Sequence, residues 1–130
     1  MRLILVVALL LSPLPLPAAA FIAQNDMRAG QVGPTEIAVE FRARRPDTDY
    51  WCAAGDYAQR VMDMPGKARI WRATPKPRKA GRGIVFTLDP AKKAEGAGLA
   101  QFGSGPRDGS ISVAMAVGNF CRDFPPLWFD

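Results

Sequence analysis

The sequence predicts a small α+β domain of three or four mainly antiparallel strands, one or two helices and one disulfide. Three observations carry that expectation. A segment near residue 40 alternates apolar and polar side chains with a period of two. A segment near residue 55 repeats its apolar residues with helical period. Two cysteines, Cys52 and Cys121, lie far apart in a chain that opens with the features of an export leader.

The leader comes first in chain order. Arg2 precedes an uninterrupted apolar run from Leu3 to Leu11, then prolines at 13, 15 and 17, then Ala18-Ala19-Ala20. A short basic start, an apolar centre and a small-residue end of the A-x-A kind describe a secretory signal peptide over residues 1–20. The apolar run is about half of the ~20 residues a membrane-crossing helix needs, and the prolines behind it end any helix early. A retained membrane anchor is the alternative. Cleavage after Ala20 makes Phe21 the first mature residue and leaves residues 21–130 as a single exported globular domain without a transmembrane segment. Twelve Arg against five Lys, with abundant Ala, Pro and Gly, suggest a GC-rich bacterial genome, so the expected location is periplasmic or secreted.

In that compartment Cys52 and Cys121 are expected to pair. Their spacing excludes a C-x-x-C redox motif, and a chain without histidine has no Cys/His zinc site. The pair is therefore read as structural.

Residues 21–33 are mixed in pattern and are expected to be loosely held. From Glu36 to Arg42, the side chains of Ile37, Val39 and Phe41 fall on one side and those of Glu36, Glu40 and Arg42 on the other, which predicts a half-buried strand. Thr48 or Asp49 supplies a cap for a helix over about 49–63, in which Ala54, Tyr57, Ala58, Val61 and Met62 form the apolar stripe before Pro65-Gly66. Cys52 lies near its first turn, off the main stripe. The aromatics Tyr50, Trp51 and Tyr57 around it are expected to pack as core.

A second strand is expected over 67–72, a Pro- and Gly-rich loop over 74–83, a third strand over 84–88 and a short fourth over 99–102. The stretch 91–98 is expected to be exposed. Residues 111–121 fit two periods at once. Ile111, Val113, Met115 and Val117 alternate as in a strand, while Val113, Ala116, Val117, Phe120 and Cys121 recur as in a helix. The reading adopted is a short strand through Ser112, which then caps a helix to about 122. The tail Phe124–Phe129 is apolar and either packs back or is offered to a partner.

Chemistry is narrowed mainly by what is missing. No imidazole is available for Ser-His-Asp or Cys-His nucleophilic catalysis, and no cofactor-cradling or metal-ligand motif is present. Gly81-x-Gly83 alone is a turn. Paired carboxylates at Glu36/Glu40 or Asp47/Asp49 are the remaining route to catalysis, and a solvated strand face and a capping turn explain them better.

The most distinctive feature is charge. Seventeen Lys and Arg face twelve Asp and Glu, and loss of Arg2 with the leader leaves sixteen against twelve, a mature charge of +4. Between Asp63 and Asp89 lie Lys67, Arg69, Arg72, Lys76, Arg78, Lys79 and Arg82 and no acid. These seven are the candidate anion-binding residues, with Trp71 as a flat stacking surface among them. The alternative is a solvated loop in an Arg-rich protein. The partner class this patch suits is an anionic envelope component or an acidic protein; nucleic acid is not expected in an exported protein. The expected role is binding without catalysis. The rivals are a small carboxylate-dependent envelope enzyme and a structural accessory that docks through its apolar C-terminal tail.

Overall fold

The computed structural model describes residues 21–95 and 108–121. The expected signal peptide, the expected strand over 99–102 and the apolar tail lie outside the described residues.

The described chain folds as one antiparallel sheet with a helical layer on one face. The strands are β1 (Phe21–Ile22), β2 (Arg28–Gln31), β3 (Glu36–Val39), β4 (Arg69–Arg72), β5 (Ile84–Thr87) and β6 (Ile111–Ser112). Their order across the sheet is β1-β2-β3-β5-β4-β6, and every neighbouring pair is antiparallel. The helix α1 (Asp47–Arg60) connects β3 to β4. A second, short helix α2 (Val113–Met115) follows β6 directly and widens into a π-helical turn over Ala116–Phe120.

The α+β class and the antiparallel sheet agree with the sequence reading, but six strands replace the expected three or four. The extra strands come from residues 21–33, which are not loosely held. Here the chain turns through Asn25-Asp26, with Asp26 in the left-handed region at φ 67°. The Asn25 side chain accepts the Met27 N–H and donates to the Asp49 carbonyl, tying the turn to the start of α1. Phe21 packs edge-on against Tyr57, and the Arg60 guanidinium covers its other side. Arg60 is itself held by the buried Asp56 carboxylate, which also accepts the Gln24 N–H. That hydrogen bonding raises the Arg60 guanidinium above its ordinary value.

Register explains the core. Ala29, Val39 and Ile84 pair across the sheet, as do Ile37 and Phe86, and Ile70 and Ile111. All of them are buried. Onto this face α1 lays Tyr50, Trp51, Ala54 and Tyr57, with the Trp51 ring edge-on to Phe86 at 4.8 Å.

The helix begins two residues earlier than expected and has no side-chain cap. Asp47 and Asp49 are drawn to Arg72 and Arg45 instead, and they still place negative charge in the first turn, where the helix dipole favours it. It ends at Arg60 rather than near 63 because Asp63 adopts φ 57° and the Met64 N–H reaches back to the Ala58 carbonyl. The amphipathic stripe proves too narrow a description, since every residue from Tyr50 to Ala58 is buried. The sheet covers one side of α1 and the C-terminal helical segment covers another. Gly55 permits that second contact: a Cβ there would lie 2.7 Å from the Ala116 Cβ.

The ambiguous last element resolves as strand then helix. Ser112 ends β6, and its Oγ accepts the Met115 N–H as the helix cap. The π-helical turn delivers Cys121 to Cys52, and the two form a disulfide with Cα atoms 4.9 Å apart at a sequence separation of 69. Closing a loop of that length is worth roughly 4 kcal/mol in the chain-entropy account, against a total of about 5–15 kcal/mol for a small domain. The Cys52→Ala/Cys121→Ala protein is therefore expected to unfold in urea with about 4 kcal/mol less stability. An unchanged unfolding midpoint would show that the bond is dispensable.

Candidate functional site

The face of the sheet away from α1 carries Glu36, Ala38, Val85 and Thr87 along β3 and β5, and Trp71 on β4. Gly30, Ala38 and Val85 pair in one row across β2, β3 and β5. Beside them the loop 74–83 rises from the end of β4 and returns at the start of β5. Between loop and sheet lies an open groove of about 690 Å³. Ala38, Val85, Pro75 and Pro77 give it an apolar lining, and Lys76, Lys79 and Arg82 give it three exposed cationic side chains. Among the described residues Glu40 is the one acid in the lining; it also borders a neighbouring hollow of about 460 Å³ lined by Asp26, Arg28 and Arg42 as well.

The loop wall is anchored from below. Arg72 points to the α1 face of the sheet, opposite Phe86, and its side chain is wholly buried. Its guanidinium meets Asp47 at 3.1 Å and donates to the carbonyls of Thr74 and Pro75. Burial pulls this guanidinium below its ordinary value while Asp47 opposes the shift, and an arginine remains charged throughout. Thr74 adds a second anchor, since its hydroxyl accepts the Val85 N–H. Arg78 is the third: its guanidinium lies over the Phe41 and Tyr50 rings, donates to the Arg82 carbonyl and stands 3.7 Å from Asp47. The Lys76–Pro77 peptide bond is cis. A wall fixed at three points is preformed, so a ligand need not order it.

The seven basic residues therefore divide. Lys76, Lys79 and Arg82 line the groove. Arg72 and Arg78 hold its wall. Arg69 is half-buried and donates to the Ser110 hydroxyl and carbonyl, and Lys67 is exposed in the turn before β4, away from the groove lining. Trp71 is not a stacking surface, because only 8% of it is exposed. Phe41 is also displaced from its expected inward position; the chain leaves β3 after Val39, and the ring stays 44% exposed beneath Arg78. Alternation placed Ala38 on the same side as Glu36 and Glu40. A small residue between two acids was the available signal for an open floor, and charge drew attention away from it.

The carboxylate pairs are not arranged as acid and base. Glu36 is ion-paired with Lys92 and accepts from Thr35, and the hydrogen bond from Lys92, then that from Thr35, hold it below the ordinary carboxylate range. A general acid needs the opposite shift. Asp47 is bonded to Arg72 and Asp49 to Arg45. Among the described residues no three His, Cys, Asp or Glu stand close enough to hold a metal ion, and no helix is long and apolar enough to cross a membrane.

These shifts give a pH expectation. Glu36 is lowered chiefly by Lys92, and Asp108 chiefly by the Ser110 hydroxyl. A carboxyl whose folded pKa is depressed stabilises above its unfolded value, about 4, and loses that contribution as pH falls through the folded value. Lys92 is raised by Glu36, so its contribution is complete below about 10 and lost only above that. With no histidine in the chain and both thiols in a disulfide, the melting temperature is expected to be flat from pH 5.5 to 8 and to fall below pH about 4. A midpoint that moves by several degrees between pH 6 and 7 would contradict this account.

Compared with known proteins, the chain matches no family model, no curated protein and no solved structure.

Proposed function

We propose that the protein is an exported, periplasmic binding protein without catalytic activity, and that its groove holds an anionic component of the cell envelope. One observation carries the reading: a preformed groove of about 690 Å³ that joins an apolar lining to three exposed cations. The volume falls within the range of small-ligand sites, and three like charges on one rim favour a negatively charged occupant. The disulfide suits an oxidising compartment.

The test is co-sedimentation of the mature, oxidised protein with vesicles rich in anionic lipid and with purely zwitterionic vesicles, at low and high salt. Binding is expected only to the anionic set and is expected to weaken as salt rises. Lys79→Glu with Arg82→Glu should weaken it at least about thirty-fold, taking ~1 kcal/mol for each basic residue near a charged surface. Both residues are exposed, so the melting temperature should hold. Equal binding to both vesicle types, or no effect of the double reversal, would overturn the reading.

A further inference from the structure

The lining of the groove is informative about what kind of anion it takes. An acidic polymer needs only a charged surface and gains nothing from the apolar lining of Ala38, Val85, Pro75 and Pro77. A free inorganic anion would be held by the rim alone and would leave that surface uncovered. The groove brings both features to one place: cations on the loop, and an apolar lining made of Ala38 and Val85 on the sheet and Pro75 and Pro77 on the loop. Burying that lining is favourable only for an occupant with an apolar part of its own.

We infer that the groove takes a single phosphate-bearing lipid, its headgroup against Lys76, Lys79 and Arg82 and the first part of its apolar stem along Ala38, Val85, Pro75 and Pro77. This rests on the binding reading above and narrows it from an anionic surface to one amphiphilic molecule. Glu40 at the floor's edge repels a second negative group there, which favours a ligand whose charge is gathered at one end.

The experiment is a calorimetric series with the mature, oxidised protein and monomeric alkyl phosphates of two to eight carbons. Inorganic phosphate, the matching alkyl alcohols and polyglutamate serve as comparisons. Affinity is expected to rise up to about four-fold for each added methylene the floor covers, then to level off where the stem leaves it. The alcohols should bind far more weakly than the phosphates. In Ala38→Leu the chain-length gain should shrink while the Lys79→Glu/Arg82→Glu effect persists. Ala38 faces away from the α1 side of the sheet, and a preserved melting temperature shows that the variant is folded.

Equal affinity for inorganic phosphate and every alkyl phosphate, or a preference for polyglutamate, would overturn the single-lipid inference and leave the anion-binding reading standing. Binding to anionic vesicles with none to the monomers would also overturn it, making the groove a membrane-docking face. No binding to any anion in either format would overturn both.

Discussion

Replacing Gly83 by alanine is expected to cost at least about 3 kcal/mol, a large share of the roughly 5–15 kcal/mol that holds a small domain together. Gly83 opens the return into β5, and a Cβ there would collide with the Val39 carbonyl oxygen and come within 3.1 Å of the Phe41 N–H. Both are backbone atoms of the central strand and the residues after it, so no side-chain rotation relieves the clash. The substitution must push β5 from β3, across a ladder that runs from Glu36–Thr87 to Val39–Ile84. Overpacking of a flexible core costs about 1–3 kcal/mol, and an unyielding backbone contact belongs at or above the top of that range. Gly81, two residues earlier, provides the control. It has φ +75° and open space around it, so Gly81→Ala carries only the modest cost of a left-handed conformation. Urea unfolding of the two variants separates close approach from turn conformation; equal losses would refute the assignment.

The second large effect is expected at Asp47. Asp47→Ala removes the anionic partner of a wholly buried guanidinium and leaves Arg72 with the Thr74 and Pro75 carbonyls alone. Breaking a fully buried ion pair costs roughly 3–5 kcal/mol; Asp47 itself is partly exposed, so about 2–3 kcal/mol is expected. Adding Arg72→Met removes the stranded charge, so the double variant should be destabilised less than the two single losses added together. The Thr74–Pro75 end of the groove wall loses its Arg72 anchor only where Arg72 itself is replaced. Additive losses in the cycle would mean that Asp47 and Arg72 do not act as a unit.

That pair also marks where the sequence stops being readable. The strand alternation at Ile37 and Val39 and the helical repeat through Ala54 and Ala58 are local signals, the pairing of Cys52 with Cys121 needed only that the chain has two cysteines, and each reappears in the fold. Arg72 carried a hint of the same kind. With Ile70 facing inward, period two places Arg72 inward as well. Nothing near Arg72 in sequence announces Asp47, 25 residues earlier, as the group that makes its burial tolerable. Strands β1 and β2 escaped notice for a related reason. Each is short, and the turn between them is held by the Asn25 bond to the main chain of α1, a contact without periodicity. The candidate site was legible as charge and illegible as shape: three of seven predicted cations line the groove, while its floor is made of residues too small and neutral to attract attention.

The position of the disulfide has a mechanical consequence. Cys52 lies in the second turn of α1 and Cys121 at the end of the last helical turn, so residues 53–120, with β4, β5 and β6, form a covalent ring. A pull between Phe21 and Cys121 runs along the backbone to Cys52 and then straight across the sulfurs, and the chain within the ring bears no direct tension. The load falls on β1, β2, β3 and the front of α1. Under force the molecule should yield there first, with the β3–β5 ladder as its shear line and the ring left as a compact, shielded remainder.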